Sequence, residues 1–369
     1  MNESKKIMAV IGTRPDAIKM CPLIKELESR EGYDIKVCAT GQHRELLDDV
    51  LEYFSVKPHY DLDIMKKGQD LFGITSEVLL GMRAVLTEEH PHAILVHGDT
   101  TSAFAASLAA FYLRIPVYHV EAGLRTYDLG APFPEEFNRR AIGMLAKHHF
   151  SPTDRSGENL IFEGVGEDRI SITGNTVIDA MKKTVRSEYS HPLLSWVGDG
   201  RLLLLTAHRR ENHGSAMENI FSAVKRIAER FDDLKIIYPV HPNPAIGSIA
   251  EKIFNGCSKI RLCQPLSTID FHNILARSYL VLTDSGGVQE EALALRKPVL
   301  VLRNTTERME GIACGGSRLV GTKEETVYRS ACDLLQNPAL HYAMSVSNNP
   351  YGDGKASVRI ADTVEKICL

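Results

Sequence analysis

Residues 93–126 read AILVHGDTTSAFAASLAAFYLRIPVYHVEAGLRT. Ala93–His97 and Pro116–Val120 are short, nearly unbroken apolar runs of strand length. Between them Ser102–Tyr112 is rich in small residues and long enough for a helix. Strand, helix, strand in that order predicts parallel pairing, and apolar runs without alternation predict strands covered on both faces. Polar residues follow each strand at once: His97-Gly98-Asp99-Thr100-Thr101 after the first, Glu121-Ala122-Gly123-Leu124-Arg125-Thr126 after the second.

The same rhythm runs outward in both directions. Upstream and downstream in the first half, strands are expected at Ile7–Ile11, Ile35–Ala39, His148–Phe150 and Ile170–Thr173. Helices are expected at Ala17–Ser29, Glu45–Tyr53, Leu71–Glu88, Glu135–Ala146, Ser156–Phe162 and Val177–Val185. The second half repeats it. Strands fall at Leu202–Thr206, Lys235–Val240, Ile260–Cys263, Leu280–Thr283, Val299–Leu302 and Leu319–Val320. Helices fall at Ala216–Phe231, Pro244–Phe254, Ser267–Ala276, Val288–Leu295 and Glu324–Leu335. Ser187–Gly200 holds Pro192, Gly198 and Gly200 without strong periodicity and reads as a linker. The expected class is α/β: two Rossmann-like domains facing across a cleft, over residues 1–186 and 200–347. Residues 348–369 carry a C-terminal helix free to return to the N-terminal domain. In such sheets ligands sit beyond the carboxyl ends of the strands.

Composition is that of an ordinary globular chain: 369 residues, 44% hydrophobic and 24% charged. Lys plus Arg number 43 against 47 acids, a net charge of −4, so no basic field invites nucleic acid or an anionic membrane. The N-terminal apolar run is too short for a signal peptide, and Ala103–Leu113 is too short to span a bilayer. The seven cysteines form no C-x-x-C and read as free thiols of a reducing compartment, hence a cytoplasmic protein. Neither G-x-x-x-x-G-K-[ST] nor G-x-G-x-x-G occurs, which argues against a nicotinamide-dependent oxidoreductase. The 14 histidines show no metal-ligand spacing, and the lone Asp61-Leu62-Asp63 is a triplet common by chance. No cofactor and no metal is expected.

The strand-end clusters each admit two readings. Gly12-Thr13-Arg14-Pro15 opens a helix whose amides favour an anion, with Arg14 and Lys19 adding charge; an ordinary turn with a surface basic pair is the other reading. Asp99 is either a helix cap or a carboxylate at a binding wall. Glu121, directly on an apolar strand end, is harder to explain as structure; partial desolvation there suits acid–base work. Glu135 and Glu136 open a helix, where acids also serve the dipole. His208-Arg209-Arg210 is a diphosphate candidate or a solvated charge run. Ser285-Gly286-Gly287 between strand and helix lets backbone approach phosphate, and Glu291 lies where a ribose diol would bind; Arg308 supplies a further cation.

Taken together, GTRPDAIKM, GQHREL, HGDTTSAFAASLAAFY, HVEAGLRT, PEEFNRR, TGNTVIDA, HRREN, PVHPNP, DSGGVQEEA and RNTTER resemble the non-hydrolysing UDP-N-acetylglucosamine 2-epimerases. The resemblance runs from residue 12 to about 308, and its general pattern covers nearly the whole chain. It implies the GT-B-like fold of glycosyltransferases and epimerases, a cytosolic homodimer and a UDP-sugar substrate. The implied reaction interconverts UDP-GlcNAc and UDP-ManNAc, supplying ManNAc for surface polysaccharide, without cofactor or metal. By resemblance Asp99, Glu121 and Glu135, spaced by 22 and 14 residues, are the essential carboxylates, and His208 is the essential histidine. Arg14, Lys19 and Arg308 would stabilise the diphosphate, Ser285, Gly286 and Gly287 would cradle phosphate, Glu291 would hold the ribose and Phe271 would lie near uracil.

The family also carries a regulatory UDP-GlcNAc site, to which Gln42, His43, Arg209 and His241 correspond. Glu45 and Gly68 depart from the family's usual glutamine and arginine, so a weakened or altered effector response is expected. Competing readings are a hydrolysing 2-epimerase releasing UDP and ManNAc, an epimerase of another UDP-2-acetamido sugar, and a UDP-sugar-binding regulator without turnover.

Overall fold

The computed structural model describes residues 4–41, 44–66, 68–241 and 243–368, without the side chains of 44–46 and 210. The chain divides into two compact units, Met1–Lys182 with Tyr351–Leu369, and Lys183–Pro350.

The first unit is built on seven strands: β1 (Lys5–Ile11), β2 (Tyr33–Ala39), β3 (Tyr60–Asp61), β4 (Ala93–His97), β5 (Val117–Val120), β6 (His148–Ser151) and β7 (Ile170–Ile172). All pair in parallel, in the order β3-β2-β1-β4-β5-β6-β7. Between them run α1 (Arg14–Glu28), α2 (Arg44–Tyr53), α3 (Leu71–Glu89), α4 (Thr101–Tyr112), α5 (Glu135–Leu145) and α6 (Asp154–Phe162), and α7 (Thr176–Thr184) leads out of the unit. The strand order reverses direction between β1 and β4. The loops after those two strands therefore diverge and leave room for a ligand. α4 buries Ala103, Ala105, Ala106, Ala109 and Ala110, which lets neighbouring helices approach it; α3 and α5 both pack on it, α5 with Phe137 edge-on to Phe104.

α8 (Pro192–Val197) belongs to the second unit and lies inside the stretch read as a linker. Pro192 fits a first helical turn, the His191 ring accepts from the Leu193 amide at 3.2 Å, and Leu193 and Val197 are buried. One turn is too short to show a period in sequence. The second sheet has six parallel strands: β8 (Arg201–Thr206), β9 (Leu234–Pro239), β10 (Ile260–Cys263), β11 (Leu280–Thr283), β12 (Val299–Val301) and β13 (Ser317–Leu319). Their order is β10-β9-β8-β11-β12-β13. Its helices are α9 (Ser215–Arg230), α10 (Pro244–Phe254), α11 (Thr268–Ala276), α12 (Gly286–Ala294), α13 (Met309–Ala313), α14 (Glu324–Gln336) and α15 (Pro338–Ser345). The apolar stripe of α9, Met217, Ile220, Phe221, Val224, Ile227 and Ala228, is fully buried against Leu203, Leu205, Ile236 and Tyr238. Each large side chain so buried contributes roughly 1.5–3 kcal/mol. The reversal here falls between β8 and β11.

The last helix, α16 (Ala356–Ile367), returns to the first unit and packs on α1. Asp179 caps it, accepting from the amides of Ala356 at 3.1 Å and Ser357 at 2.8 Å. Arg30 bridges to Asp362 at 2.7 Å and Glu365 at 2.8 Å.

Candidate active site

In the first unit the site grows from the two diverging loops and the end of β5. After β1, Thr13 and Asp16 form a reciprocal cap on α1. The Thr13 hydroxyl faces the Asp16 amide, while Asp16 Oδ2 accepts from the amides of Thr13 at 3.0 Å and Gly12 at 3.3 Å. The cap starts the helix at Arg14, three residues before the expected start at Ala17. Arg14 is half-buried in the first turn. Lys19, one turn on, is 6% exposed, and its ammonium is paired with the Glu121 carboxylate. The sequence reading set Lys19 among the diphosphate cations. Its buried position on α1 brings it onto Glu121.

Glu121 follows β5 with a backbone φ of 62°, a left-handed conformation costly for a residue with a Cβ. Its side chain is held by Lys19 and by Asn175 Nδ2, which donates to Oε2 at 2.6 Å, among other contacts. Strain at a buried carboxylate so held is the pattern expected where position outweighs local stability.

Asp99 lies in the loop after β4. Its Oδ2 accepts from Arg139 Nη2 at 2.6 Å, and its backbone carbonyl accepts from Asn138 Nδ2 at 2.9 Å. Arg139 also reaches Glu136 at 3.2 Å. The adjacent acids of α5 thus separate. Glu136 is fully buried and accepts from the Thr126 and Tyr127 amides, both at 3.0 Å, pinning the preceding loop. Glu135 stays half-buried at the first position of α5. Asp99 is not the cap of α4; Thr100 takes that place, its hydroxyl accepting from the Ala103 amide at 3.1 Å. His119 Nε2 lies 2.7 Å from the Gly98 carbonyl, which makes it the donor and fixes the loop carrying Asp99.

The second unit repeats the scheme at its own reversal. Asp284, fully buried after β11, accepts on Oδ2 from the amides of His208 and Arg209, both at 2.9 Å, and from Asn212 Nδ2 at 3.0 Å. Its Oδ1 lies 3.5 Å from His208 Nδ1. The His208 ring stacks on His241, centroids 5.4 Å apart and planes 9° apart. Burial holds the His208 pKa below the ordinary imidazole value, partly opposed by Asp284. His208 is thus neutral near pH 7 and able to donate or accept.

Ser285 precedes α12, and Gly286 and Gly287 are its first two residues, so the helix begins two residues earlier than Val288. A Cβ at Gly286 would lie 2.7 Å from Arg308 Nη1 and from Glu307 Oε1; one at Gly287 would meet nothing nearer than Glu291 Oε1 at 3.8 Å. The first glycine therefore makes room for the Arg308–Glu307 pair, a packing role the sequence reading had given to phosphate approach. The second leaves the helix start open. Arg308, 5% exposed, donates from Nε to Glu290 Oε1 at 2.8 Å and is paired with Glu307. Glu307 in turn binds Arg303 at 2.9 Å. Glu291 is 3.8 Å from His272 Nε2, and Phe271 is half-buried beside that histidine.

The chain matches, over residues 25–365, the family model described as UDP-N-acetylglucosamine 2-epimerase. The chain belongs to that family. A Bacillus subtilis UDP-N-acetylglucosamine 2-epimerase is 52% identical over 97% of this chain and 94% of its own length. A crystal structure from Listeria monocytogenes, described as a UDP-N-acetylglucosamine 2-epimerase, superposes with a TM-score of 0.96 at 51% identity, covering 98% of this chain and 96% of that one. The Neisseria meningitidis UDP-GlcNAc 2-epimerase, solved with UDP-GlcNAc bound, gives 0.94 at 42% identity over 98% of this chain and all of that one.

Of the positions corresponding to this epimerase family's regulatory site, Gln42, His43 and the Glu45 side chain lie outside the described residues. Arg209 is half-buried, with no hydrogen-bond partner for its buried Nε among the described residues. His241 shares its stack with His208, so a residue read into the regulatory set lies against one read into the catalytic set. Gly68 sits exposed at φ +78° with nothing within 4 Å of a built Cβ, so the site has space for a side chain but a backbone that favours glycine. Asp16, His97, Asn175, Asp284, Glu290 and Glu307 also help assemble these clusters; each lies inside a quoted motif, but the sequence reading gave none of them a role of its own.

Proposed function

We propose that the protein interconverts UDP-GlcNAc and UDP-ManNAc at C2 without net hydrolysis. The C2 proton has no adjacent carbonyl to acidify it, so direct deprotonation is out of reach of a side chain. Elimination solves this. A carboxylate takes the C2 proton, the C–H electron pair becomes the C1=C2 bond of a 2-acetamidoglucal, and the C1–O pair leaves with UDP. Re-addition of UDP with proton delivery to the opposite face completes the change. The observation that carries this reading is Glu121: a buried carboxylate in a strained backbone conformation, held by Lys19 and Asn175. Asp99, ionised against Arg139, and Glu135 are the further acid–base groups. The three act as a coupled set.

In the second unit His208, with Asp284 behind it, and Arg308 stabilise the departing diphosphate, with Arg14 of the first unit. Ser285 and the open start of α12 at Gly287 take a phosphate oxygen, Glu291 the ribose hydroxyls, and Phe271 the uracil. Charge stabilisation of the leaving group supplies the larger part of the rate, and positioned proton transfer about 10²–10⁴-fold.

The protein works as a cytoplasmic homodimer that provides ManNAc for surface polysaccharide. Two observations support the setting. All seven cysteines are free. The adjoining helices α3, α4 and α5 expose Phe72, Leu80, Phe111, Tyr112, Phe137 and Met144, large apolar side chains of the kind a partner surface covers. UDP-GlcNAc acts as effector with a weakened response.

The test is UDP-ManNAc in D₂O followed by NMR, with and without a trace of UDP-GlcNAc. UDP-GlcNAc deuterated at C2 is expected. Free UDP with free ManNAc means the hydrolysing reaction, and no change from either sugar nucleotide means another substrate or a binding role. A sigmoidal dependence on UDP-GlcNAc would contradict the weakened response.

A further inference from the structure

Among the described residues of the first unit, His97 is a buried titratable side chain that the elimination leaves idle. His97 ends β4, is 3% exposed, and has no hydrogen-bond partner for either ring nitrogen among the described residues. Nδ1 lies 3.4 Å from Asp16 Oδ1 and Nε2 lies 3.7 Å from Glu121 Oε2. Buried imidazole nitrogens normally find partners, because leaving them unmet costs free energy. Here both candidate partners are carboxylates, one on each side, and each is just beyond hydrogen-bond range. A movement of under about 1 Å brings either pair into range.

The charged and titratable groups facing His97 come from few elements. α1 contributes Asp16 and Lys19. The end of β5 and the loop after it contribute His119 and Glu121. Asp99, two residues along from His97, is committed to Arg139. His119 donates to the Gly98 carbonyl and stays neutral. Asp16 and Glu121 bring two carboxyl groups and Lys19 one amine, so acidic groups outnumber basic ones around His97. A nearly dry cluster of that make-up has a place for one proton.

The geometry points to His97 as a positioning residue that links Glu121 to Asp16 and lets the proton Glu121 takes from the sugar exchange with solvent. This rests on the elimination described above with Glu121 as the acceptor. The C2 proton arrives on the Glu121 carboxylate, and the carboxyl group passes it to His97 Nε2 as Nδ1 gives its own proton to Asp16. Asp16 Oδ2 faces the hydroxyl of half-buried Thr100 at 3.5 Å, which opens the way to water. The reverse sequence returns a solvent proton to Glu121. No charge is left behind on His97, so the imidazole ends in the tautomer opposite to the one it began in.

The relay is read by incubating the enzyme with UDP-GlcNAc in D₂O and measuring C2 deuterium in the recovered UDP-GlcNAc for each epimerisation event. The wild-type enzyme washes deuterium into the recovered substrate. In His97→Gln the proton stays on Glu121 and returns, so the exchange-to-epimerisation ratio falls about tenfold while KM and UDP affinity hold. Asp16→Asn is the second variant. Its side-chain oxygen still accepts the amides that cap α1, but it cannot take the proton, and the same fall is expected. Unchanged ratios in both variants, with only kcat lowered, would reduce His97 to packing and overturn the inference. A wild-type enzyme that epimerises yet leaves recovered UDP-GlcNAc protiated overturns the relay and spares the function. A wild-type enzyme that does not epimerise overturns both.

Discussion

Gly286→Ala and Gly287→Ala place the same methyl group on adjacent residues of one helix turn, and the structure separates their consequences. At 286 the new Cβ falls 2.7 Å from Arg308 Nη1 and 2.8 Å from Cζ, where ordinary contact begins near 3.4 Å. The guanidinium would have to retreat by about 0.7 Å, an overpacking of the kind that costs roughly 1–3 kcal/mol. It cannot swing aside freely, because Glu290 and Glu307, at 0% and 1% side-chain exposure, hold it. At 287 the methyl meets only Glu291 Oε1 at 3.8 Å, and a helical Gly→Ala change there gains about 0.5–1 kcal/mol. The single tryptophan, Trp196, lies on α8 of the second unit, so its fluorescence in urea reports that unit alone. The midpoint should fall by roughly 0.5–1 M for Gly286→Ala and rise slightly for Gly287→Ala. UDP titration adds the second axis. Gly286→Ala should weaken UDP by about 10–100-fold through the displaced Arg308. Gly287→Ala should weaken it only if backbone at 287 lies against phosphate. Equal stabilities and equal UDP affinities for the two variants would refute the packing argument for Gly286.

Three further outcomes follow from the first unit. Arg139→Gln leaves buried Glu136 without its counter-charge and should cost about 3–5 kcal/mol in urea denaturation followed by circular dichroism, along with most of the turnover. Burial lowers the pKa of His119 and His149 to about 3 and that of His148 to about 4, against about 6.5 in the unfolded chain. Each group therefore adds stability above pH ~6.5 that is lost as pH falls toward its folded pKa, at up to about 4 kcal/mol per pH unit for the three together. Urea midpoints measured from pH 7 to 4 should show that slope, and His149→Phe should lessen it by about a third. Met144→Glu with Phe111→Glu should convert the proposed dimer to monomer in sedimentation; a variant that stays dimeric would place the seam elsewhere.

The alternation was legible because the central strands β4, β5, β8, β11 and β12 are mostly apolar runs buried along nearly their whole length, and a pattern of that kind survives in sequence. β3 is two residues long and α8 little more than a turn, too short for a period to form, so neither could be read. Asp99, Glu121 and His208 stood out because a charged or polar group directly after an apolar strand needs an explanation. Their partners did not stand out. Lys19 is 102 residues from Glu121, Arg139 is 40 from Asp99 and Asp284 is 76 from the His208 amide, and pairings at that distance follow from sheet order, not from local pattern. Gly286 shows the reverse case. A glycine beside a phosphate and a glycine beside an arginine look alike in sequence, and only the packing tells them apart.

The return of α16 has a consequence for the order of synthesis. The groove on α1 that receives α16 belongs to the first residues made, but its occupant leaves the ribosome only after the whole of Lys183–Pro350. The second unit is contiguous and can close while the first still waits, which inverts the usual order of folding from the N-terminus. The wait extends to the chemistry. The Asn175 amide donates to the Tyr351 carbonyl at 2.7 Å, and Asn175 is one of the holders of Glu121. A nascent chain that has not yet reached Tyr351 would therefore lack one support of Asn175, and so a settled Glu121, the carboxylate proposed to break the C–H bond.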